Sequence, residues 1–261
     1  MRLTFLGTGT STGVPVIGCG CDTCTSADPR DRRLRTSALV EAEGLSVVID
    51  TGPDFRAQAL RVGLDRLDAV LFTHAHYDHV GGLDDVRPFL FGNARAIPCH
   101  AAPDTAAALR RVYPYVWGDD AYPGVPVLAL HERSDAPFTL AGRYDDNAGA
   151  RLRVVPIPVQ HGPAPIYGYR IGRLAYLTDV SAVPQASRRR LEGLDVLVLD
   201  ALRPEPHPMH LSLDEAVALA REIGARQTYF VHLAHQVRHA DVRLPRGIAL
   251  AHDGLAVDVQ A

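Results

Sequence analysis

The stretch Thr73-His74-Ala75-His76-Tyr77-Asp78-His79 places three imidazoles and one carboxylate within six residues, directly after the apolar run Ala69-Val70-Leu71-Phe72. Neutral imidazole and carboxylate are ligands that suit Zn, Mn and Fe. The segment offers more ligands than one four-coordinate ion usually takes from one loop, which favours two adjacent ions that share it. A chance surface cluster of histidines is the alternative, and the position of the cluster at the end of a strand-like run argues against it.

Short apolar runs that read as buried strands occur on both sides of this stretch. They cover residues 3–6, 37–41, 46–49, 69–72, 152–157, 166–171, 174–177, 196–199 and 228–231. Helical periodicity covers residues 54–62, 104–112, 184–192 and 212–223, and the last begins with a capping box of Ser212 and Glu215 and ends before Gly224. Because strands and helices alternate in both halves, the sequence predicts an α/β arrangement of sheets covered by helices.

Composition and charge narrow the class of protein. The 261 residues are 47% hydrophobic and 22% charged, which is ordinary for a globular chain, and the net charge of −3 gives no general attraction to nucleic acid. No apolar run approaches the length of a membrane span, and the first residues lack a signal-peptide layout, so we expect a cytoplasmic protein. We predict one domain over residues 1–261, with an irregular insertion near the active site at about 84–150.

Three further polar residues lie at or shortly after the ends of apolar runs. They are His161 in Val159-Gln160-His161-Gly162, Asp179 in Tyr176-Leu177-Thr178-Asp179, and His232 in Tyr229-Phe230-Val231-His232. Ligands from distant parts of a chain typically converge from loops at the carboxyl ends of strands. One such residue alone would more often be a solvent-facing loop residue, but three of them beside a His-x-His-x-Asp-His segment indicate a shared site.

These motifs together resemble the metallo-β-lactamase-fold hydrolase superfamily. The motifs of that family occur here in order as Asp50 in Val48-Ile49-Asp50-Thr51-Gly52, the segment from His74 to His79, and then His161, Asp179 and His232. The resemblance implies an αββα four-layer sandwich with the metals at one edge. It further implies two divalent ions in the active site, and the imidazole and carboxylate ligands are compatible with Mn, Zn or Fe.

The resemblance also assigns a role to each ligand. His74, His76 and His161 would hold the first ion, while Asp78, His79 and His232 would hold the second. Asp179 would bridge the two ions, because an anion between two cations relieves their repulsion. Asp50 would orient the ligands from behind, a role that metal-bound histidines commonly require.

A separate cluster, Cys19-Gly20-Cys21-Asp22-Thr23-Cys24, has the spacing C-x-C-x₂-C. Three thiolates need one more donor to complete a tetrahedral structural zinc, and His235, three residues after His232, is the natural fourth ligand. Reduced thiols without metal are the alternative. The remaining cysteine, Cys99, is interpreted as an ordinary core or loop residue.

The cysteine cluster narrows the resemblance to one branch of the superfamily. The segments Leu6-Gly7-Thr8-Gly9-Thr10-Ser11-Thr12-Gly13-Val14-Pro15, Gly18-Cys19-Gly20-Cys21 and Arg35-Thr36-Ser37 are similar to PhnP-like proteins, the branch of the cyclic ribosyl-phosphate phosphodiesterase, which also has the structural zinc. The glycines allow close backbone approach to a ligand, or they serve turn geometry only. This branch suggests a homodimer.

The sequence therefore predicts a metal-dependent hydrolase that cleaves a small phosphodiester, either a cyclic ribosyl phosphate or a nucleotide-like molecule. Two ions would lower the pKa of a shared water, and the resulting hydroxide would attack phosphorus. His210, in a context where the branch carries a catalytic histidine, would act as general acid. Asp78 would accept or relay a proton. A capping or surface histidine is the alternative for His210, and His207 lacks the support of the branch.

Other functions stay open at this point. A tRNA 3′-processing nuclease, a lactonase or a thioesterase would share the fold, and so would a non-catalytic metal-binding protein of the pyrroloquinoline quinone pathway. The negative net charge makes nucleic acid an unfavoured partner, and no membrane partner is expected. The short basic run Arg30-Asp31-Arg32-Arg33-Leu34-Arg35 is interpreted as a solvated face that could attract an anionic substrate.

Overall fold

Fourteen strands form the framework of the protein in a computed structural model that describes residues 1–92, 95–118 and 124–260. In chain order they are β1 (Arg2–Gly7), β2 (Ser37–Ala42), β3 (Leu45–Ile49), β4 (Ala69–Leu71), β5 (Ile97–Ala101), β6 (Leu128–Glu132), β7 (Phe138–Ala141), β8 (Arg151–His161), β9 (Ala164–Ile171), β10 (Leu174–Leu177), β11 (Val196–Asp200), β12 (Gln227–Val231), β13 (Ile248–Leu250) and β14 (Ala256–Asp258). All nine predicted strands are present, with bounds that shift by a few residues.

The strands make two mixed sheets. The first has the order β14-β1-β2-β3-β4-β5-β6 and the second has the order β13-β12-β11-β10-β9-β8-β7. Strands β3 to β6 run parallel in the first sheet, and β10 to β13 run parallel in the second. Each sheet therefore gathers several carboxyl strand ends at one edge, which is where loops can position a site.

Helices cover the outer faces of both sheets. They are α1 (Phe55–Val62), α2 (Tyr77–Val80), α3 (Pro103–Val112), α4 (Pro114–Trp117), α5 (Gln185–Arg188) and α6 (Leu213–Ile223), with 3₁₀ turns at Pro29–Asp31, Leu83–Leu90, Asp145–Asn147 and Arg189–Leu191. One apolar core lies between the sheets, a second lies under α6 and a third lies under α1 and α3. This arrangement confirms the predicted αββα sandwich. The predicted helix at 184–192 is instead the short α5 followed by a 3₁₀ turn.

The start of α6 is set by its sequence. Ser212 Oγ accepts a hydrogen bond from the Glu215 N–H, and the Glu215 carboxylate accepts one from the Ser212 N–H, at 3.4 and 2.8 Å. Gly224 ends the helix in the left-handed region, with φ of 70°. The capping box fixes where the preceding loop must stop, and that loop carries His210.

The prediction of an irregular insertion at 84–150 is wrong for the residues that the structure describes. The region contains β5, β6 and β7 and the helices α3 and α4, and β5 and β6 extend the first sheet by parallel pairing. Its strands escaped detection because β5 carries Pro98, while β6 is half-exposed and lacks a continuous apolar run. Residues 93–94 and 119–123 of this region lie outside the described residues.

A search of the described helices finds none that is both long and apolar enough to traverse a bilayer.

Candidate metal centre

The polar residues predicted to form the site meet at the edge where the carboxyl strand ends of both sheets lie. Asp50 follows β3, His74 follows β4, His161 ends β8, Asp179 follows β10 and His232 follows β12. Their ligand atoms form two adjacent groups in which all atoms lie within 4.8 Å of one another. The first group is His74, His76 and His161, and the second is Asp78, His79, Asp179 and His232.

The site residues that follow three of these strands adopt left-handed backbone conformations. The φ angles are 62° at Asp50, 57° at Asp179 and 61° at His232. A non-glycine residue in this region costs on the order of 1–3 kcal/mol, and such residues cluster at functional sites. The turn ends the strand and directs each side chain toward the shared edge.

In the first group, backbone and side-chain partners fix how each imidazole faces the site. Thr73 Oγ accepts a hydrogen bond from His74 Nδ1 at 3.0 Å, and the Met209 carbonyl accepts one from His161 Nδ1 at 3.0 Å. The opposite nitrogen, Nε2, of both rings is therefore left for the site. His74 Nε2 lies 3.0 Å from His76 Nδ1, so His76 faces the site with Nδ1, whereas His74 and His161 face it with Nε2.

The second group is built around two buried carboxylates. His79 Nε2 lies 3.2 Å from both Asp78 Oδ2 and Asp179 Oδ2, and His232 Nε2 lies 3.2 Å from Asp179 Oδ1. Asp179 Oδ1 is also 3.9 Å from His74 Nε2 in the first group. Asp179 thus lies between the two groups, where the sequence analysis places a bridging ligand.

The two groups differ in their electrostatics. Burial, reinforced by the charge of His79, holds the pKa of His74 well below its usual value, and burial also lowers the pKa of His161. Burial opposes the charged form of His79 as well, but Asp179 and Asp50 outweigh it and raise the pKa of His79 well above the usual value. Burial of Asp179 is likewise outweighed by His232 and His79, so the pKa of Asp179 lies well below its usual range.

The residues present fit a pair of divalent ions. Among the described residues, His79 Nε2 and His232 Nε2 are buried without a hydrogen-bond partner, although carboxylate oxygens lie 3.2 Å away. Buried polar atoms are normally satisfied, so nitrogen and oxygen atoms that converge without bonding are what a cation site leaves. Three imidazoles in one group, and two imidazoles with two carboxylates in the other, are donor sets for Zn, Mn or Fe.

Asp50 stands behind the ligands, where the sequence analysis places it. Its Oδ2 accepts hydrogen bonds from His79 Nδ1 and from the Thr73 hydroxyl, both at 2.7 Å, and its Oδ1 accepts one from the Thr73 N–H at 2.8 Å. Through Thr73 the same carboxylate reaches His74, because the Thr73 hydroxyl accepts from that ring. Thr73 was not singled out by the sequence analysis.

His210 lies at the rim of both groups, with its ring centroid 4.8 Å from that of His161 and 4.7 Å from that of His232. Asp200, the fully buried last residue of β11, accepts a hydrogen bond from His210 Nδ1 at 3.2 Å and one from the Leu211 N–H at 3.0 Å. The same carboxylate is 3.6 Å from His232 Nδ1. The sequence analysis missed Asp200, although it directly follows an apolar run, the signal that identified Asp179 and His232.

The cysteine cluster meets His235, as the sequence predicts. His235 Nδ1 lies 3.3, 3.4 and 3.8 Å from the sulfurs of Cys19, Cys21 and Cys24. Hydrogen bonding from the Cys24 backbone lowers the pKa of the Cys21 thiol to about 6, whereas burial raises the pKa of the Cys24 thiol to about 11. Without an ion, the negative charge of the cluster therefore lies on Cys21. Three sulfurs and one imidazole are a donor set for structural zinc. Cys99 is buried in the core under α3.

The interpretation of the Arg30–Arg35 run as a solvated face is wrong for Arg33. This side chain is 1% exposed and pairs with Asp31 at 2.9 Å. Its guanidinium also donates to the carbonyls of Ala234 and Val237, at 3.1 and 2.7 Å, on either side of His235. Arg33 therefore holds the loop that presents His235 to the cysteines.

The first glycines of the N-terminal loop serve chain packing. A Cβ atom on Gly7 would lie 1.9 Å from the Arg35 carbonyl oxygen, and one on Gly9 would lie 2.9 Å from that of Arg33. The loop also pairs with the segment after β12, since the Leu233 N–H donates to the Thr8 carbonyl at 2.9 Å. Of the two interpretations, turn and packing geometry accounts for these glycines.

Comparisons of the sequence and of the structure match most of this chain to known proteins. The sequence profile of the β-lactamase superfamily domain matches residues 46–233. A crystal structure of a diphosphatase from the PhnP family is 45% identical, covers 99% of this chain and 98% of its own, and has a TM-score of 0.89.

Two curated relatives are less similar: the first is about twice as long as the matched region, and the second has a lower sequence identity. An octanoyltransferase from Porphyromonas gingivalis is 39% identical over 98% of this chain but 51% of its own length, so the chain spans about half of that relative. A ribonuclease Z from Bradyrhizobium sp. (strain ORS 278) is 27% identical and matches 78% of this chain and 79% of its own.

Proposed function

The chain belongs to the β-lactamase superfamily and, within it, to the PhnP family, and from this premise we propose that it is a metal-dependent hydrolase of small phosphodiesters with His210 as general acid. The substrate class is a cyclic ribosyl phosphate or a nucleotide-like diester. The two ligand groups would hold two divalent ions, and the Cys19, Cys21, Cys24 and His235 cluster would hold one structural zinc.

The observation that carries this proposal is the pairing of His210 with Asp200. His210 keeps 10% of its side chain exposed, whereas Asp200 is fully buried. Because Asp200 accepts from Nδ1, the Nε2 atom of His210 faces outward from that bond. With Nδ1–H donated to Asp200, the imidazolium form of His210 carries its second proton on Nε2, and this is the proton that a leaving oxygen would take.

The ions, when bound, would neutralise charge on the phosphoryl oxygens and lower the pKa of a water molecule. His210 Nε2 then donates its proton to the ester oxygen as the bond from phosphorus to that oxygen breaks. The water oxygen would bond to phosphorus on the side opposite the leaving oxygen, and Asp78 would accept or relay the proton that this water releases. Burial of Asp78 is outweighed by contacts with His232 and His79, which keep its pKa well below the usual range. Because its carboxylate holds a proton weakly, Asp78 would pass the proton on and would not retain it.

Hydrolysis of a diphosphate linkage is a second candidate. The 45% identical structure is a diphosphatase, and the same in-line displacement at phosphorus would serve a phosphoanhydride. A phosphate leaving group needs a proton less than an alkoxide does. Dependence on His210 should therefore be weaker with a diphosphate than with a diester.

The test is His210→Ala assayed on a 2′,3′-cyclic nucleotide, whose leaving group is an alkoxide, and on a disubstituted diphosphate, with a lactone and a thioester as further substrates. We expect turnover of the diester to fall by about 100-fold, the scale of general acid catalysis. His210 also comes close to His161 with Asp179 and to Asp200 with His232. Because it is outside the two proposed ligand groups, metal content per chain, measured by mass spectrometry, should stay unchanged.

His207→Ala is the matched control, since its ring is 5.2 Å from that of His210 on the same loop. This variant should keep most of the activity. Equal turnover of the wild type and His210→Ala would remove His210 from the mechanism, and turnover of the lactone or thioester alone would replace the proposed reaction.

A further inference from the structure

A pocket of about 460 Å³ opens on the outer face of the second sheet. Its lining is Pro137, Arg153, Val155, Arg170, Gly172 and Arg190. Val155 on β8 pairs directly with Arg170 on β9, and Arg153 lies two residues before Val155 on the same face. Three guanidinium groups therefore surround one concave surface.

This pocket is remote from the candidate metal centre. Arg153 precedes His161 by eight residues on the continuous strand β8, so the two lie roughly 26 Å apart at about 3.3 Å per residue. The pocket opens near the amino-terminal end of β8, whereas the ligands gather at its carboxyl end. None of its lining residues belongs to either ligand group.

The positive charge of the pocket is only partly neutralised. Arg190 pairs with Asp135 at 2.8 Å and donates to the carbonyl of Pro156. Arg170 donates to the carbonyls of Gly172, Arg190 and Glu192, and it has no carboxylate partner within the part of the chain that the structure describes. Among the described residues, the Arg153 side chain has neither a hydrogen-bond partner nor an ion-pair partner.

The arrangement also holds donors in place. The three carbonyls fix the Arg170 guanidinium, and the two contacts of Arg190 fix the wall of the pocket, so little side-chain freedom is lost when an anion binds. Burial lowers the pKa of Arg170, and the charges of Arg153 and Arg173 lower it further. Guanidinium groups match phosphate oxygens by paired N–H donors.

We propose that this pocket is a second binding site, for a small phosphorylated molecule that carries at least two phosphoryl charges. Three guanidinium groups exceed what one phosphate needs, and the volume suits a ligand larger than a single phosphate. A single-stranded RNA fits less well, because its backbone needs a positively charged groove that extends over several nucleotides, whereas these arginines line one pocket. The site goes beyond the proposed hydrolysis, which takes place at the other end of the sheet.

The experiment is calorimetric titration of the metal-loaded protein with pyrophosphate. We expect two classes of site in the wild type, one at the metal centre and one at the arginines. Arg153→Glu should weaken the second class by about tenfold or more, because it reverses a charge that faces the ligand. Arg153 has no partner in the described structure, so the fold should tolerate the change.

Two variants serve as controls. Arg153→Lys keeps the charge and should stay within about threefold of the wild type, while Arg111→Glu, on α3 over the opposite sheet, should leave both classes unchanged. If Arg153→Glu weakens no class of pyrophosphate site, the proposal is overturned, whereas loss of the metal-centre class alone would bear only on the proposed hydrolysis. Tighter binding of a short single-stranded RNA than of pyrophosphate, lost in Arg153→Glu, would overturn it in favour of RNA.

Discussion

Asp200 connects the two residues on which the proposed chemistry and the second ligand group depend. Its carboxylate contacts His210 Nδ1 and lies near His232 Nδ1, and it is fully buried. Asp200→Asn would keep the volume but offer an amide to His210, so the ring would lose its fixed tautomer. We expect turnover to fall by about 10- to 100-fold, the range found for partners of metal-site histidines.

The same strand supplies a matched control for that variant. Asp195 is also fully buried, but it lies just before β11, at the end away from the site, where it pairs with Arg226 and accepts from the Gln260 N–H. Asp195→Asn should therefore lower stability and spare turnover. Steady-state kinetics and thermal unfolding of both variants check this, and equal turnover in Asp200→Asn and the wild type would contradict a positioning role.

The sequence identified single residues best where one follows an apolar run. Asp179 and His232 were predicted on that basis, whereas Asp50 came from the family motif. Asp200 carries the same strand-end signal and could have been predicted, but it has no family motif to draw attention to it. Arg33 could not be predicted, because its partners are carbonyls about 200 residues away. A buried cation is unusual for its residue type, and only tertiary structure can supply the partners that make it tolerable.

At the scale of elements, the N-terminal loop and the segment after β12 are joined through the cysteine cluster. Cys21→Ser should release the zinc and lower the unfolding temperature, since binding of a structural zinc contributes folding free energy. Metal analysis and calorimetry check both effects. The control is Cys99→Ser, which replaces a buried core thiol away from the cluster. That variant should lose stability but keep its zinc.

Strand β5 carries a buried histidine that makes stability depend on pH. His100 Nδ1 accepts from Arg133 at 2.9 Å, and burial and the Arg133 charge lower the pKa of His100 to about 3. Above pH 6.5 the His100 ring is neutral in the folded and the unfolded chain, so it does not make the free energy of unfolding depend on pH. Below that value the unfolded chain binds a proton that the folded chain excludes, so stability falls by about 1.4 kcal/mol per pH unit, or about 2 kcal/mol at pH 5.

His100→Gln removes this contribution. Its unfolding free energy should fall less than that of the wild type between pH 7.5 and pH 5, whatever the absolute stability at neutral pH. Denaturant titrations at the two pH values check the difference. Parallel pH dependence of the two proteins would mean that His100 is accessible to protons in the folded state.

For the whole molecule, the sandwich was predictable because its central strands are apolar and its motifs occur in a known order. The outer parts of the first sheet were not, since β5 and β6 depend on pairing with β4 and have weak patterns of their own. Edge strands such as β6 gain their conformation from the neighbouring strand more than from local propensity. The same reason explains why β7, β13 and β14 were missed.

The two ligand groups consist of different residues, so substitution of a single ligand should change the metal content in a way that depends on its group. After full loading, the wild type should hold about three ions per chain, two at the paired groups and one at the cysteines. His76 belongs to the first group alone, whereas Asp179 reaches both groups through His74, His79 and His232. His76→Ala should therefore lose about one ion and Asp179→Ala about two. Each variant should keep the structural zinc, which mass spectrometry of the desalted proteins would detect. Loss of one ion from Asp179→Ala would show that this carboxylate serves one group and does not bridge the pair.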